Sequence, residues 1–146
     1  MTMQSLFLIA RINGARVAIH SDFVESVVRI QDIVPIPRCD PIVVGLFALR
    51  SRVLTLIDSQ FFVTGITRPF QPGALAIVAE VSGQQFGFLV ESVEDAITID
   101  LAKIEKNITA PREWSGIASG LVEVSGEIAI IIDPSQLIDV KKAIAA

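Results

Sequence analysis

The chain has 146 residues, of which 51% are apolar and 19% are charged, and this apolar content excludes a disordered protein. Its 12 basic and 16 acidic side chains give a net charge of −4, which argues against a broad basic surface for nucleic acid. The longest apolar stretch, Ile42–Leu49, is far shorter than the roughly 18 residues that a membrane-spanning helix needs, so we expect no direct insertion into a membrane.

The charges are distributed unevenly between the two halves of the chain. Residues 1–73 carry seven Arg, no Lys and five acidic residues, whereas residues 74–146 carry five basic and eleven acidic residues. Arg without Lys favours fixed, forked contacts in the first half, although a simple bias of composition gives the same count. The single Cys, Cys39, cannot form an internal disulfide, and the N-terminus has no signal-peptide pattern, so we expect a cytoplasmic protein.

The first half of the chain reads as a series of short strands. Apolar segments flank Asn13-Gly14, a pair that favours a tight hairpin turn because both residues tolerate a positive φ. A short segment follows at residues 22–28, with its counterpart in the second copy at residues 92–97, and its acidic start and apolar spacing allow one helical turn before another strand. A second hairpin covers residues 46–57 and turns at Arg50-Ser51.

Two segments of the chain repeat in the same order. Residues 12–30 align without a gap with residues 81–99, and residues 43–58 align with residues 118–133. The hairpin turns fall at the same places in both copies. Because two matches in the same order are hard to obtain by chance, they indicate an internal duplication.

The duplication divides the chain into approximate lobes at residues 1–68 and 74–133, with a linker rich in Gly and Pro over residues 65–73. Asp133 can cap a helix, and the pattern after it predicts a C-terminal helix over residues 134–145. Four or five short strands in each lobe are typical of small barrels. The sequence therefore predicts an all-β fold of two small β-barrels packed together, plus the C-terminal helix.

The side chains that enzymes use are scarce in this chain. It has one His, one Cys and no Tyr, and His20 and Cys39 do not have the spacing of metal ligands. We interpret His20, which follows an apolar strand, as structural or exposed, and Cys39 as a plain thiol in a proline-bounded loop. We expect no catalytic residue, no metal site and no cofactor.

Two features of the turns and loops suggest contacts with a partner. Arg50 and Arg52 place two guanidinium groups around one Ser at a hairpin turn, where they are either simply solvated or able to grip a carboxylate in two-point fashion. Trp114 lies in a polar loop, where it is either an interface anchor or, as the favoured interpretation, a lid over the mouth of a barrel.

Residues 36–58, IPRCDPIVVGLFALRSRVLTLID, resemble the signature segment of CheW-like domains. In that family a proline-bounded loop leads to a strand with Gly, then to Asn-Leu-Arg-Gly, then to an apolar strand with Pro that ends in Asp-Leu-Arg. The matching positions are Pro37, Pro41, Gly45, Leu49, Arg50 and Asp58, and the departures are Ala48, Ser51, Thr55 and Gln60. The resemblance covers nearly the whole chain and implies a single CheW-like domain over residues 1–146.

The resemblance implies two SH3-like five-stranded barrels without catalytic activity. CheW-like proteins couple chemoreceptors to the histidine kinase CheA in cytoplasmic arrays, and the kinase carries a homologous domain that pairs with them barrel to barrel. The cytoplasmic tips of the receptors bind near the groove between the barrels. The family's partner-binding positions carry over to Val24, Val27 and Arg50, and we add Arg52 because of its place in the turn.

Two other functions fit the same residues. The chain could be a CheW-like adaptor of a non-flagellar system, such as twitching motility or gene regulation, and neighbouring genes would separate that role from chemotaxis. Less in keeping with the resemblance, it could be a small ligand-binding or catalytic β-barrel with its ligand beneath Trp114. A small molecule that stays bound during purification would favour this last function.

Overall fold

The computed structural model describes residues 3–37, 41–106, 112–114 and 116–137. These residues form ten strands and one short α-helix, which confirms the predicted all-β class with five strands in each copy of the repeat. The first copy contains β1 (Gln4–Ile12), β2 (Ala15–His20), β3 (Val24–Ile30), β4 (Val43–Leu49), β5 (Arg52–Ile57) and α1 (Ser59–Thr64). The second copy contains β6 (Ala74–Val81), β7 (Gln84–Val90), β8 (Ser92–Asp100), β9 (Ala118–Val124) and β10 (Glu127–Ile132).

Each copy of the repeat lends its first hairpin to the sheet of the other copy. Sheet A has the strand order β8-β1-β2-β10-β9, and sheet B has the order β3-β6-β7-β5-β4. The exchanged hairpins are joined through parallel ladders, in which Ile130 lies opposite Val17 and Thr55 lies opposite Phe86. These two registers are equivalent in the sequence repeat. The duplication is therefore confirmed, and both sheets cross the sequence boundary between residues 1–68 and 74–133.

Apolar side chains pack in three clusters. The buried residues of one cluster, including Phe7, all come from sheet A, and those of a second cluster, including Phe47, all come from sheet B. The third lies between the sheets and takes Val17 from sheet A and Phe86 from sheet B. Trp114 belongs to this third cluster and is only 3% exposed. Its interpretations as an interface anchor and as a barrel lid are both wrong, because its ring fills the core between the sheets.

A short bridge joins the two edges of each sheet. The chain beyond β3 returns to β4, where Val34 and Leu46 exchange two backbone hydrogen bonds of 2.8 Å. The chain beyond β8 returns to β9 in the same way, through Glu105 and Leu121. Gly45 precedes Leu46, and a Cβ at Gly45 would lie 2.6 Å from the carbonyl oxygen of Val34. The repeated Gly of the sequence is thus what lets the closing segment approach the sheet.

The two aspartates that end β5 and β10 each cap the turn of helix that follows. Asp58 accepts hydrogen bonds from the amides of Gln60 and Phe61 at the start of α1. Asp133 accepts one from the amide of Ser135 at the start of the 3-10 turn Pro134–Leu137. The predicted C-terminal helix therefore begins as a 3-10 turn, and its remainder lies outside the described residues.

The other predicted local structures are largely in place. A 3-10 turn at Ser21–Phe23 precedes β3, as predicted for the first copy. The helical turn predicted at residues 92–97 is wrong, because β8 is already strand from Ser92 and pairs with β1. Helix α1 was not predicted. Within the described residues, the structure has no helix with the length and apolar composition needed to cross a membrane.

Replacing the glycines beside the bridges tests this closure. We expect Gly45→Ala to lower the free energy of unfolding by about 1–3 kcal/mol, because the added methyl group meets rigid backbone. Gly120→Ala should cost less, because its Cβ first meets the Ile104 side chain, at 2.7 Å. Gly116→Ala is the matched control, since nothing lies within 4 Å of its Cβ position. Urea unfolding of the three variants measures the order, and equal stability of Gly45→Ala and Gly116→Ala would contradict it.

Candidate functional site

The turn between β4 and β5 holds an arginine in a backbone conformation that arginine avoids. Arg50 has a φ of 59°, and the register pairs Leu49 with Arg52 across the turn. The three other hairpin turns use Asn or Ser followed by Gly for their positive φ angles. A non-glycine residue in the left-handed region costs roughly 1–2 kcal/mol. Because Gly would form this turn at lower cost, the presence of Arg50 points to a role for its side chain outside the hairpin.

Both arginines of this turn are exposed. Among the described residues, neither guanidinium of Arg50 and Arg52 has a hydrogen-bond or ion-pair partner. Other arginines of the first half are engaged: Arg16 pairs with Glu94 at 2.9 Å, and Arg11 pairs with Glu127 at 3.0 Å. The hairpin turn thus presents two positive charges that no described residue pairs.

An exposed apolar surface adjoins these arginines. Ala48 and Val53 are cross-strand neighbours on the outer face of the hairpin, and Val53 is 68% exposed. Val34, which closes the sheet against β4, is 65% exposed on the same face. We call Val34, Ala48, Arg50, Arg52 and Val53 the basic face. Exposed apolar residues rimmed by charges are typical of protein contact sites.

Sequence reasoning found the two arginines of the basic face and missed its apolar part. The apolar part could have been found from the alternation of exposed and buried residues along β5, because Val53 lies between the turn and the buried Leu54. Its cross-strand neighbour Ala48 is a departure from the resembled motif and also faces out. The arginines therefore adjoin a larger exposed surface with an apolar part.

A bulge in β3 brings the two predicted valines to one face. The ladder between β3 and β6 skips a residue between Val24 and Ser26, so that Val24 lies opposite Ala79 and Val27 opposite Ile77. Ala79 and Ile77 both belong to the core between the sheets. Val24 packs on this core, and Val27 remains 39% exposed beside it. The bulge explains why Val24 and Val27 share a face although they are three residues apart. An unbroken strand would place them on opposite faces.

The two predicted pairs lie toward different edges of sheet B. Val24 and Val27 are on the edge strand β3, whereas Arg50 lies in the turn after the other edge strand, β4, and Arg52 is the first residue of β5. A surface cleft between these edges is lined by residues 28–32 and 47–49. The structure therefore places the two pairs on different strands of sheet B, toward its opposite edges.

His20 has a structural role. Its Nδ1 accepts a hydrogen bond of 3.1 Å from the amide of Asp22 and so caps the 3-10 turn before β3. The ring packs edge-on against Phe7, with 5.1 Å between the ring centroids. Cys39 lies outside the described residues. The part of the chain that the structure describes holds no group of three or more His, Cys, Asp or Glu side chains able to bind a metal.

Comparisons with known proteins agree with this architecture. The model of the CheW-like domain family matches residues 6–142. The chain belongs to the CheW-like domain family. It is 26% identical over 128 residues to the chemotaxis protein CheW of Thermotoga maritima, which covers 88% of this chain and 83% of the relative. It shares its fold with the scaffolding protein TtCheW of Thermoanaerobacter tengcongensis, with a TM-score of 0.82, 22% identity, and coverage of 95% and 90% of the two chains.

The residues that match the CheW-like signature divide into structural and exposed ones. Gly45 admits the bridge that closes sheet B, and Asp58 caps α1 while only 6% exposed. Gln60 departs from the signature, and its side-chain amide donates a hydrogen bond of 2.8 Å to Asn13 of the β1–β2 turn. Arg50 differs from Gly45 and Asp58, because it is exposed and has no partner among the described residues.

Burial raises the pKa of the Asp58 carboxyl group, and hydrogen bonds from the amides of Phe61 and Gln60 partly oppose this effect. Because the pKa is higher in the folded than in the unfolded chain, the folded state favours the protonated carboxyl. The associated stability is present below the unfolded-state pKa and is lost as the pH rises through the folded-state pKa.

Asp58 combines an unfavourable buried charge with favourable capping hydrogen bonds, and this predicts opposite results for two substitutions. Asp58→Asn keeps a good N-cap without a buried charge, so at neutral pH it should be at least as stable as the wild type. Asp58→Ala loses the cap and should be less stable by about 0.5–2 kcal/mol. Thermal unfolding between pH 3 and 7 measures the stability of both variants. The lower part of this range contains the titration of an ordinary Asp carboxyl group, whose pKa is about 4. A strong loss of stability in Asp58→Asn at neutral pH would show that the ionised carboxylate itself is required.

Proposed function

We propose that this chain is a non-catalytic adaptor that couples chemoreceptors to a histidine kinase of the CheA type in chemotaxis-like signal transduction. Membership of the CheW-like family supports this function. The chain would act in the cytoplasm as a single domain over residues 1–146. Its partners would be the CheW-like regulatory domain of the kinase and the cytoplasmic tip of the receptor.

The observation that carries the proposal is the state of Arg50. Its backbone is strained, its side chain is exposed, and no described residue satisfies its guanidinium group. It also occupies the arginine position of the family signature. A side chain that costs stability in the free protein and has no partner there is best explained by a contact with another molecule.

The chemistry of this contact follows from the guanidinium group. Arg50 and Arg52 lie two residues apart and point a row of N–H donors away from the fold, which suits carboxylates or backbone carbonyl groups of a partner. Val53 and Ala48 beside them supply apolar area. Small, partly polar contacts of this kind suit reversible signalling assemblies, in which charge sets association rates and specificity.

The valine pair on β3 would provide a second contact. Val24 packs on the core between the sheets, and Val27 lies opposite Ile77 of that core. The resemblance implies that receptor tips bind near the groove between the barrels, which supports a role for this pair. An adaptor needs two surfaces that partners can occupy at once. Val24 and Val27 lie on the edge strand β3, whereas the basic face lies on the β4–β5 hairpin toward the other edge of sheet B, so the two are separate surfaces of one sheet.

Substitution of Arg50 tests the proposed contact. We expect Arg50→Ala to weaken binding to the receptor tip by roughly ten- to a hundredfold, because a charged hydrogen bond is worth about 1.5–3 kcal/mol. Arg50→Lys should recover only part of the affinity. Arg50→Gly should lose affinity and melt at the same or a higher temperature, because Gly relieves the positive φ. The exposed Arg112→Ala is the matched control. Calorimetric titration and thermal melting of the same samples give both quantities.

Two outcomes would contradict the role of Arg50. A large fall in melting temperature of Arg50→Gly would show that the side chain supports the fold. Unchanged affinity in Arg50→Ala, with the control also unchanged, would show that partners bind elsewhere.

The proposed function also predicts the effect of substituting His20, the residue that we would expect a catalytic function to use. His20→Asn keeps a capping group for the 3-10 turn and should leave signalling in cells unchanged, since the proposed role needs no proton transfer. Swarm-plate spreading or the equivalent motility output of the host measures it, with circular dichroism as the folding control. Loss of output in a normally folded His20→Asn protein would favour a catalytic role instead.

A further inference from the structure

A cleft opens beside the linker that joins the two copies of the repeat. Its volume is about 270 Å³, just below the roughly 300–1,000 Å³ of sites for drug-sized ligands. Its walls come from the β1–β2 turn with the start of α1, from the junction of β7 and β8, and from linker residues 68–71. We call this space the linker cleft. Its size suits a single small metabolite.

Hydrogen bonds hold the walls of the linker cleft in place. The side-chain amide of Gln60 donates to Asn13 at 2.8 Å and so ties α1 to the β1–β2 turn. In the same turn, the backbone amide of Gly14 donates to the carboxylate of Glu91 at 2.5 Å. On the linker side, the amide of Gly73 donates to the last carbonyl of β3 at 2.8 Å. The linker cleft is therefore preorganised, which lowers the entropic cost of binding.

Most of the surface inside the linker cleft is apolar. Phe70 and Leu89 line it and pack against the apolar cluster of sheet B, and Val90 belongs to the core between the sheets. The ring of Pro69 adds an exposed apolar patch. These side chains favour an aliphatic group and disfavour a charged one, which would lose its hydration there.

Two side chains of opposite charge line the linker cleft without pairing. Arg68 and Glu91 are both exposed, and in the described part of the chain neither forms an ion pair. Within the same residues the guanidinium group of Arg68 donates no hydrogen bond, and the carboxylate of Glu91 accepts one only from Gly14. A cation and a carboxylate that stay apart in one small space fit a ligand that carries both charges and lies between them.

The third charged residue of the linker cleft is not available to a ligand. Asp58 is only 6% exposed and accepts hydrogen bonds from the amides at the start of α1. Burial raises the pKa of its carboxyl group, and the charge of Arg68 is among the effects that oppose this rise. Asp58 thus attracts the guanidinium group toward the cleft and leaves Glu91 as the carboxylate that a ligand can reach.

We propose that the linker cleft binds a free aliphatic α-amino acid. Arg68 would bind the carboxylate of the ligand through its forked donors, and Glu91 would accept a hydrogen bond from the ammonium group. Phe70 and Leu89 would pack against the aliphatic side chain. A zwitterion matches one cation and one carboxylate without adding net charge, and the apolar wall selects the side chain.

The linker cleft shares no residue with the basic face or with the valine pair on β3. A ligand there would leave both proposed partner surfaces uncovered. Amino-acid binding can therefore fail while the coupling of receptor and kinase holds, and the reverse is also true.

Titration of the isotope-labelled full chain with L-leucine, followed by NMR, tests the site. We expect saturable shifts of the backbone amides of Arg68, Phe70 and Glu91, and none at Arg50. Isopentylamine lacks the carboxylate of leucine, isocaproate lacks its ammonium group, and L-aspartate lacks its aliphatic side chain. Each should bind at least about tenfold more weakly than leucine. No saturable shift with leucine, or equal affinity for leucine and any of the other three compounds, would overturn the proposal.

Two variants assign the charged groups of the ligand to their partners. Arg68→Gln should weaken leucine binding by about ten- to a hundredfold and leave isopentylamine binding unchanged, because that compound has no carboxylate. Glu91→Gln keeps an acceptor for the amide of Gly14. It should weaken leucine binding to a similar extent and leave isocaproate binding unchanged. A general loss of structure would weaken all the compounds alike, so this split also shows that the variants are folded.

Matched controls separate the site from a general effect of charge. Arg112 and Glu80 are exposed and lie outside the linker cleft, so Arg112→Gln and Glu80→Gln remove the same charges elsewhere. Both should bind leucine as the wild type does. If they weaken binding as much as Arg68→Gln and Glu91→Gln do, or if the latter two bind leucine normally, the linker cleft is not an amino-acid site.

Discussion

The exchange of hairpins between the two copies of the repeat is the constraint on which this structure depends. The parallel ladders of β2 with β10 and of β5 with β7 attach each hairpin to strands from the other half of the chain. The core between the sheets takes side chains from both of these joints. Neither sheet is complete without both halves, so we regard the described strands as one cooperative unit. Pairings between strands this far apart in sequence also favour slow folding relative to local hairpins.

This rigid frame separates residues that build the fold from residues that it presents to partners. Gly45 and Asp58 stand a few residues on either side of Arg50 in the signature segment, yet both are buried and locally satisfied. The β4–β5 hairpin holds Arg50 at its exposed end. The strain at that residue is small compared with the packing of the two sheets, which is why the fold can carry it.

Much of the fold could be predicted from the sequence because its signals are local or repeated. Asn13-Gly14 and the two Ser-Gly pairs form the turns that their φ tolerance predicts. The repeat indicated four or five strands in each copy, but it could not show that the hairpins are exchanged, since pairing partners lie far apart in the chain. Helix α1 was not predicted because Phe61, Phe62 and Val63 fit a strand as well as a helix. Only the cap at Asp58 favours the helix.

The candidate site was predictable only in part. Two arginines at a turn are visible in any sequence, whereas the exposure of Val34 depends on the bridge to Leu46. The bulge that places Val24 and Val27 on one face left no local mark in the sequence. Trp114 was misjudged because a polar loop predicts an exposed side chain, and the long-range packing against the core between the sheets overrode that tendency.

The exchanged hairpins also bear on the origin of the chain's asymmetry. One copy of the repeat standing alone would have a three-strand sheet without its partner hairpin, and two such molecules could complete each other only as a symmetric, domain-swapped dimer. Joining the two copies in one polypeptide removes the requirement that they be identical. Substitutions can then accumulate in one half without being imposed on the other, and the arginine-rich and acidic halves of this sequence are the outcome that such freedom allows. Joining the two copies thus allows a molecule with two different ends, where a dimer of identical copies would have two-fold symmetry. An assembly built from such a molecule is polar.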